Sequence, residues 1–283
     1  MPYTNDCHGI RDLSSSFIND ALTDRLSNVL DSLARVLVHK PSWEVISLGA
    51  RIGPADQVTV FIADNGAVGP NIMAHFWVIW ERLRKLSQSF EKSQECVKRS
   101  YLINARSPAL RDLSLLSDAM QNEAHDFKRC VYTHSFGKFL KRFEKGNRFD
   151  QLKKDSPFYS NPGLKEPMEQ IMECLTTINE LIGNSEKLPD NFNKFEVAIH
   201  IATREIQKIL QDNASVSYLT SLNPTHLNFL RKVSCLTQAV NVLIQATNSP
   251  RLRRQLFFGK AVTLIPVPSL EETVRFPEKC DEY

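Results

Sequence analysis

The chain lacks the features that mark secreted, membrane-spanning and disulfide-stabilised proteins. Residues 1–16 contain no apolar segment of the kind found in a signal peptide. The longest apolar run, residues 72–80, is interrupted by His75 and is far shorter than the roughly 18 residues that a spanning helix requires. The 6 cysteines are spread singly along 283 residues, so we expect reduced thiols. These absences predict a cytoplasmic or nuclear protein that is not secreted and has no transmembrane segment.

Short motifs for catalysis, cofactors and metals are also missing. The sequence has no Gly-x-Ser-x-Gly elbow, no Walker-type loop and no Cys-x-x-Cys pair. The densest metal-ligand set is His125, Cys130 and His134, and on a continuous helix His125 points away from the other two. We therefore predict no catalytic residue, no cofactor and no metal. An enzyme built from distant helices would leave no short motif, so enzymatic activity is disfavoured but stays open.

Neither sign of charge dominates the composition. Lys and Arg number 35 and Asp and Glu number 32, which gives a formal net charge of +3. That excess is too small to define a nucleic-acid-binding or membrane-binding protein, so only a local patch of charge can serve that purpose. A hydrophobic content of 42% is ordinary for a globular chain, and its length provides a core that needs no disulfide or metal.

What the sequence does contain is apolar residues at three- and four-residue spacing, the period of an α-helix. The predicted helices span residues 17–39, 71–105, 108–144, 167–182, 191–210 and 225–246, with a short helix beginning at Pro250. This pattern predicts an all-α fold of about seven to nine helices, with little or no sheet. The helices are expected to form a single large helical domain or two packed helical subdomains.

Turn-forming residues predict where the chain divides. Residues 147–163 carry several such residues and no sustained period, which is typical of a linker or long loop. On one side, residues 1–146 form an N-terminal helical region with two long central helices. On the other, residues 164–283 form a C-terminal helical region with a proline-bearing tail.

The segment 58–63 permits two interpretations. Its β-branched residues favour a strand, whereas Pro54 can occupy the first position of a helix. A single strand is not stable alone, and no partner strand is evident nearby in the sequence. A short helix is therefore the favoured prediction.

The helix that ends at residue 144 changes its apolar side along its length. At 100° per residue, Phe127 and Val131 lie about 40° apart, whereas Phe139 and Phe143 lie towards the opposite side. Gly137 falls at this change, so we predict a break or kink there.

Two segments are rich in cations. Residues 134–154 contain seven Lys or Arg and two acids, and residues 249–260 contain four cations and no acid. In the first segment, Phe136, Phe139 and Phe143 share one helical stripe and the cations share another. The phenylalanines are thus predicted to be buried and the cations exposed. The candidates for binding an anion or an acidic partner are Lys138, Lys141, Arg142, Lys145, Arg251, Arg253 and Arg254.

Three functional hypotheses follow. The leading one is a non-catalytic helical protein-interaction module, either an adaptor or a subunit of an intracellular assembly. The second is an RNA-binding or single-stranded nucleic-acid-binding protein that uses the basic helix faces, although base stacking requires aromatics exposed among the cations. The third is a helical enzyme with a buried pocket near Trp77 and Trp80. The second hypothesis is favoured if the two basic segments lie on one surface of the folded chain, and it is weakened if they face apart.

Overall fold

The chain folds into a layer of packed helices with a small sheet at one side. The computed structural model describes residues 20–40, 44–53, 57–103, 118–154, 161–182, 188–258 and 261–268. Its elements are α1 (Asp20–Leu37), β1 (Ile46–Ile52), β2 (Gln57–Asp64), α2 (Pro70–Ile103), α3 (Asp118–Glu144), α4 (Arg148–Lys154), α5 (Pro162–Ile182), α6 (Leu188–Gln211), α7 (Asn213–Leu222), α8 (Pro224–Asn248), α9 (Pro250–Leu252) and β3 (Ala261–Pro266). The nine helices in these ranges confirm the prediction of a mostly helical fold.

Helix boundaries follow local capping chemistry. Asp212 precedes α7 and its carboxylate accepts hydrogen bonds from the backbone N–H groups of Ala214 and Ser215. Asn223 caps α8 in the same way through Thr225, with Pro224 at the first helical position. The predicted helix start at residues 107–108 and the proline-bearing tail after residue 268 lie outside the described residues.

One hydrophobic core includes residues from both sides of the predicted linker. Fully buried side chains within it include Leu33 of α1, Phe127 of α3, Ile199 of α6 and Leu243 of α8. The linker segment itself is partly helical, because residues 148–154 form α4 and bury Phe149 and Leu152. Within the described ranges, no helix is long and apolar enough to cross a bilayer.

The favoured helix at 58–63 is wrong, because these residues lie in strand β2. β1 and β2 are antiparallel, from Ile46 opposite Asp64 to Ile52 opposite Val58, and β3 pairs with β2 in parallel. Val58, Val60 and Ile62 alternate along β2 and are fully buried. This period of two is that of a strand with one face on the core.

The sheet was not predicted because its strands, each taken alone, have no sequence pattern that identifies them as strands. β1 contains Gly49, a residue that weakens strand propensity, and the nearest side chain above it is that of Phe61 on β2. β3 lies in a stretch that carries Pro266 and pairs with a strand about 200 residues earlier in the sequence. Local sequence patterns contain no information on such a distant pairing.

The predicted break at Gly137 does not occur, since α3 is helical from Asp118 to Glu144. One buried series along it consists of Phe127, Val131, Ser135, Phe139 and Phe143, each four residues after the last, and Met120 and Tyr132 are buried as well. Steps of four residues rotate the buried stripe by about 40° each, so it moves gradually around the helix. Ser135 is the buried residue between Val131 and Phe139. Because it is polar, a pattern of apolar residues alone shows a gap there and suggests a break in the helix.

A substitution distinguishes strand from helix at residues 57–64. In a helix Val60 would point about 200° from Val58 and face water, whereas in β2 all three alternate residues are buried. We expect Val60→Ala to lower the free energy of unfolding by about 2 kcal/mol in urea titrations. Thr59→Ala, on the opposite face of β2, should cost less than about 1 kcal/mol. Equal small effects for both substitutions would contradict the strand.

Candidate functional site

The apolar side of the basic helix α3 is buried, as the sequence predicts. Phe139 and Phe143 are almost inaccessible to solvent, and Phe136 is half-buried. The ring centroid of Phe139 lies 5.6 Å from that of Phe195 on α6, and that of Phe143 lies 5.8 Å from Phe229 on α8. These edge-to-face contacts fix the rotation of α3 about its own axis.

That rotation places the four cations of α3 and its following turn towards solvent. Lys141 and Lys145 are exposed, whereas Lys138 and Arg142 are half-buried. The guanidinium of Arg142 donates a hydrogen bond to the sulfur of Cys235 on α8 at 3.1 Å. Arg142 therefore marks the seam where α3 meets α8.

Helix α8 adds two cations at this seam. Arg231 and Lys232 precede Cys235 by about one helical turn and both are exposed. The sequence of α8 contains no Asp or Glu to neutralise them. We call the resulting patch the basic surface; its residues are Lys138, Lys141, Arg142, Lys145, Arg231 and Lys232. The two α8 residues are recognisable as cations in the sequence, but the pairing of α3 with α8 is not.

Lys138, a half-buried residue of the basic surface, is influenced by a buried acid. Burial, followed by the neighbouring charge of Arg142, lowers the pKa of Lys138, while Glu44 acts in the opposite direction. The side chain of Glu44 is fully buried and accepts hydrogen bonds from the backbone N–H groups of His39 and Lys40 at 2.6 and 2.9 Å. One buried acid thus lies at the edge of a patch of six cations.

The second predicted segment does not join this surface. Arg253 is 1% exposed, ion-pairs with Glu91 of α2 and donates to the side chain of Gln94 at 3.0 Å. It is therefore a structural residue, unavailable to an external anion. Arg251 and Arg254 are exposed, but they follow the end of α8, about 20 Å along the helix from Cys235. The two basic segments face separate regions of the molecule.

Behind the basic surface lies a cluster of three histidines. The rings of His75 on α2 and His134 on α3 are stacked with centroids 3.3 Å apart, and His39 lies 5.2 Å from His134. A ring nitrogen of His134 contacts the carbonyl of Leu37 at 3.2 Å, and His39 contacts the carboxylate of Glu44 at 3.2 Å. The cluster joins the C-terminal end of α1 to α2 and α3.

Burial and mutual stacking favour the neutral forms of His75 and His134. Burial first, then the neighbouring His134 and His39, lowers the pKa of His75 from 6.5 to about 3. Burial also lowers the pKa of His134, against the opposing effect of the Leu37 carbonyl. Two imidazolium rings cannot stack at this distance without strong repulsion, so protonation destabilises the junction.

The histidines do not form a metal site. Among the described residues, no group of three or more His, Cys, Asp or Glu side chains is arranged to hold a metal ion. Of the set considered from the sequence, His125 instead contacts Glu196 on α6 at 2.8 Å, and His134 lies in the histidine cluster. Cys130 is a free thiol whose pKa is raised by burial.

The third hypothesis places a buried pocket near Trp77 and Trp80. Trp80 is buried, with its ring centroid 5.4 Å from Phe76 and 5.2 Å from Phe257. Trp77 is 43% exposed at a surface groove of about 720 Å³, which charged residues of α2 and α3 also line. One ring thus lies in the core and the other at the surface.

Comparison with protein-family models, with curated protein sequences and with solved structures gives no match for this chain. The candidate site therefore depends on the geometry of its own residues.

The histidine cluster predicts a stability that falls with acidity. Because the pKa of His75 is lower in the folded chain than its usual 6.5, its contribution is complete above pH 6.5 and is lost as the pH falls towards 3. We expect His75 to account for about 2 kcal/mol of destabilisation between pH 7 and pH 5. His75→Phe should make the dependence of unfolding free energy on pH shallower, as measured by urea titration.

A matched histidine outside the cluster controls for general acid effects. His125→Gln removes a partner of Glu196 but leaves the stacked rings intact, so its pH dependence should resemble that of the wild type. A His75→Phe variant with the wild-type slope would contradict the role assigned to the cluster.

Proposed function

We propose that the chain is a non-catalytic helical interaction module whose basic surface binds an acidic segment of a partner protein. The observation that carries this proposal is the contact of Arg142 on α3 with Cys235 on α8, one helical turn from the exposed Arg231 and Lys232 of a helix that contains no acid. A positive patch of this kind attracts and orients an acidic partner and raises the rate of association.

The arrangement of the patch supports a specific contact in addition to general attraction. Arg142 is held at the seam by Cys235, and Lys138 is half-buried beside it. Their positions are partly fixed before binding, so less side-chain entropy is lost when a carboxylate is bound. Lys141, Lys145 and the α8 cations surround this centre as exposed, flexible charges that attract a partner from a distance.

An acidic protein segment is favoured over nucleic acid because the basic surface offers no platform for base stacking. Phe139 and Phe143 are buried beneath the cations, and along the described lengths of α3 and α8 every phenylalanine and tyrosine is buried or half-buried. Single-stranded nucleic acids are typically bound by cations and exposed aromatic rings together. RNA or single-stranded DNA remains the alternative, supported by the same cations acting on phosphates.

The test compares two probes on one pair of variants. A fluorescent glutamate-rich peptide and a single-stranded RNA of equal length are titrated with the wild type and with Lys141→Glu/Lys145→Glu. Both substituted residues are exposed, so the fold should be retained. We expect the double substitution to weaken peptide binding at least about tenfold, or about 1.4 kcal/mol, and added salt to weaken wild-type binding.

The matched control carries the same change of charge elsewhere. Arg251→Glu/Arg254→Glu reverses two exposed cations beyond the end of α8 and should alter peptide binding by less than about twofold. Equal effects of both double variants would show non-specific attraction and overturn the proposal. RNA bound more tightly than the peptide, with the same dependence on Lys141 and Lys145, would favour the alternative.

A further inference from the structure

Helices α5 and α6 form an antiparallel hairpin whose outer face is divided by charge. α5 presents four exposed carboxylates and one exposed cation, Lys165 near its start, and α6 presents three exposed cations. They are Glu166, Glu169, Glu173 and Glu180 on α5, and Lys194, Arg204 and Lys208 on α6. The charges on the basic surface all have one sign, whereas this face carries mainly acids on one helix and cations on the other.

Between the two charged rims runs an apolar groove of about 730 Å³. Its floor includes the buried Cys174 and Ala198 and the half-buried Thr177 and Ile201. Val197 projects beside it and is 58% exposed, an unusual position for a large aliphatic residue on a helix that is otherwise well packed. The small side chains of Cys174 and Ala198 allow another helix to approach closely.

We infer that this face binds a second copy of the same chain and forms a two-fold symmetric dimer. With the two-fold axis parallel to the helices, α5 of each copy lies over α6 of the other. Acidic and basic rims then meet at both edges of the interface, and the apolar grooves meet at its centre. A two-fold axis perpendicular to the helices would instead place α5 over α5, with acids facing acids, and is disfavoured.

The positions of the rim charges along the helix axes, here called their levels, fit this arrangement. Glu173 of α5 and Arg204 of α6 both line the groove, beside Cys174 and Ala198 of its floor. The two side chains therefore lie at similar levels along the antiparallel helices. Because the two-fold axis preserves this level, Glu173 of each copy meets Arg204 of the other. Val197 lies over the partner's α5 near Thr177.

Two further features support pairing through this face. Arg204 and Lys208 are held by the buried carboxylate of Glu205, at 2.8 and 2.7 Å, so the basic rim is ordered before association. The face is about 30 Å long and about 20 Å wide, or about 600 Å² per copy. The total of about 1,200 Å² is at the lower limit for stable interfaces, so we expect a dissociation constant on the order of 10 µM.

Rim substitutions on the full-length chain provide a test that depends on the pairing itself. Glu173→Lys places two cations together at each edge of a dimer, and Arg204→Glu places two acids together. In sedimentation equilibrium we expect each variant alone to dimerise at least about tenfold more weakly than the wild type. An equimolar mixture should regain dimers, because each edge of the mixed dimer then joins a lysine to a glutamate, or an arginine to a glutamate. A merely structural defect would not be repaired by mixing.

Val197→Arg tests the apolar centre independently, since the residue is exposed and the substitution leaves the core intact. It should abolish dimerisation while circular dichroism and the urea midpoint at low protein concentration stay at wild-type values. A wild-type chain that is monomeric well above 10 µM would overturn the inference, as would single variants that dimerise normally or a mixture that does not recover. Peptide binding at the basic surface is measured separately, so failure here leaves that proposal unaffected.

Discussion

Burial of the phenylalanine stripe of α3 determines much of what the rest of the chain can do. Phe139 and Phe143 make ring contacts with α4, α6 and α8, and these contacts fix how α3 is rotated. Because that rotation is fixed, the cations of the basic surface on α3 must face solvent. A helix turned by half a revolution would bury four charges without partners, at a cost far above the stability of an ordinary domain. The basic surface is thus a consequence of core packing.

The helices and the orientation of α3 were predictable because both follow from short-range periodicity. Phe139 and Phe143 were assigned to the core and Lys141 and Lys145 to the surface from a helical wheel, and the structure agrees. What local patterns could not provide is which helices meet. The role of Arg231 and Lys232, the ion pair of Arg253 with Glu91, and the stacking of His75 on His134 all depend on contacts between distant segments. The favoured helix at β2 failed for the same reason.

Two buried polar residues link helices whose relative positions would be less well defined by apolar packing alone. Ser135 of α3 donates to the carbonyls at the end of α1, where no intrahelical donor is available. Glu44 accepts backbone N–H groups from the residues that follow the same helix. The junction of α1, α2 and α3 is therefore specified by hydrogen bonds as well as by shape, and the histidine stack lies within it. Apolar packing tolerates small rotations, whereas these polar contacts do not.

The parallel pairing of β2 with β3 affects the order in which the chain can be assembled. Gln57 faces Ala261, so 261 − 57 = 204 residues separate the partners. During synthesis, β1 and β2 emerge first and can form a hairpin, but the edge of β2 that pairs with β3 stays open until residues 261–266 have been made. Contacts of such high sequence separation form late and slowly, because the entropy of closing a long loop is lost before the contact stabilises it. A strand made about 200 residues later thus completes the sheet that β1 and β2 begin, and a chain shortened before residue 261 would retain an open, aggregation-prone strand edge.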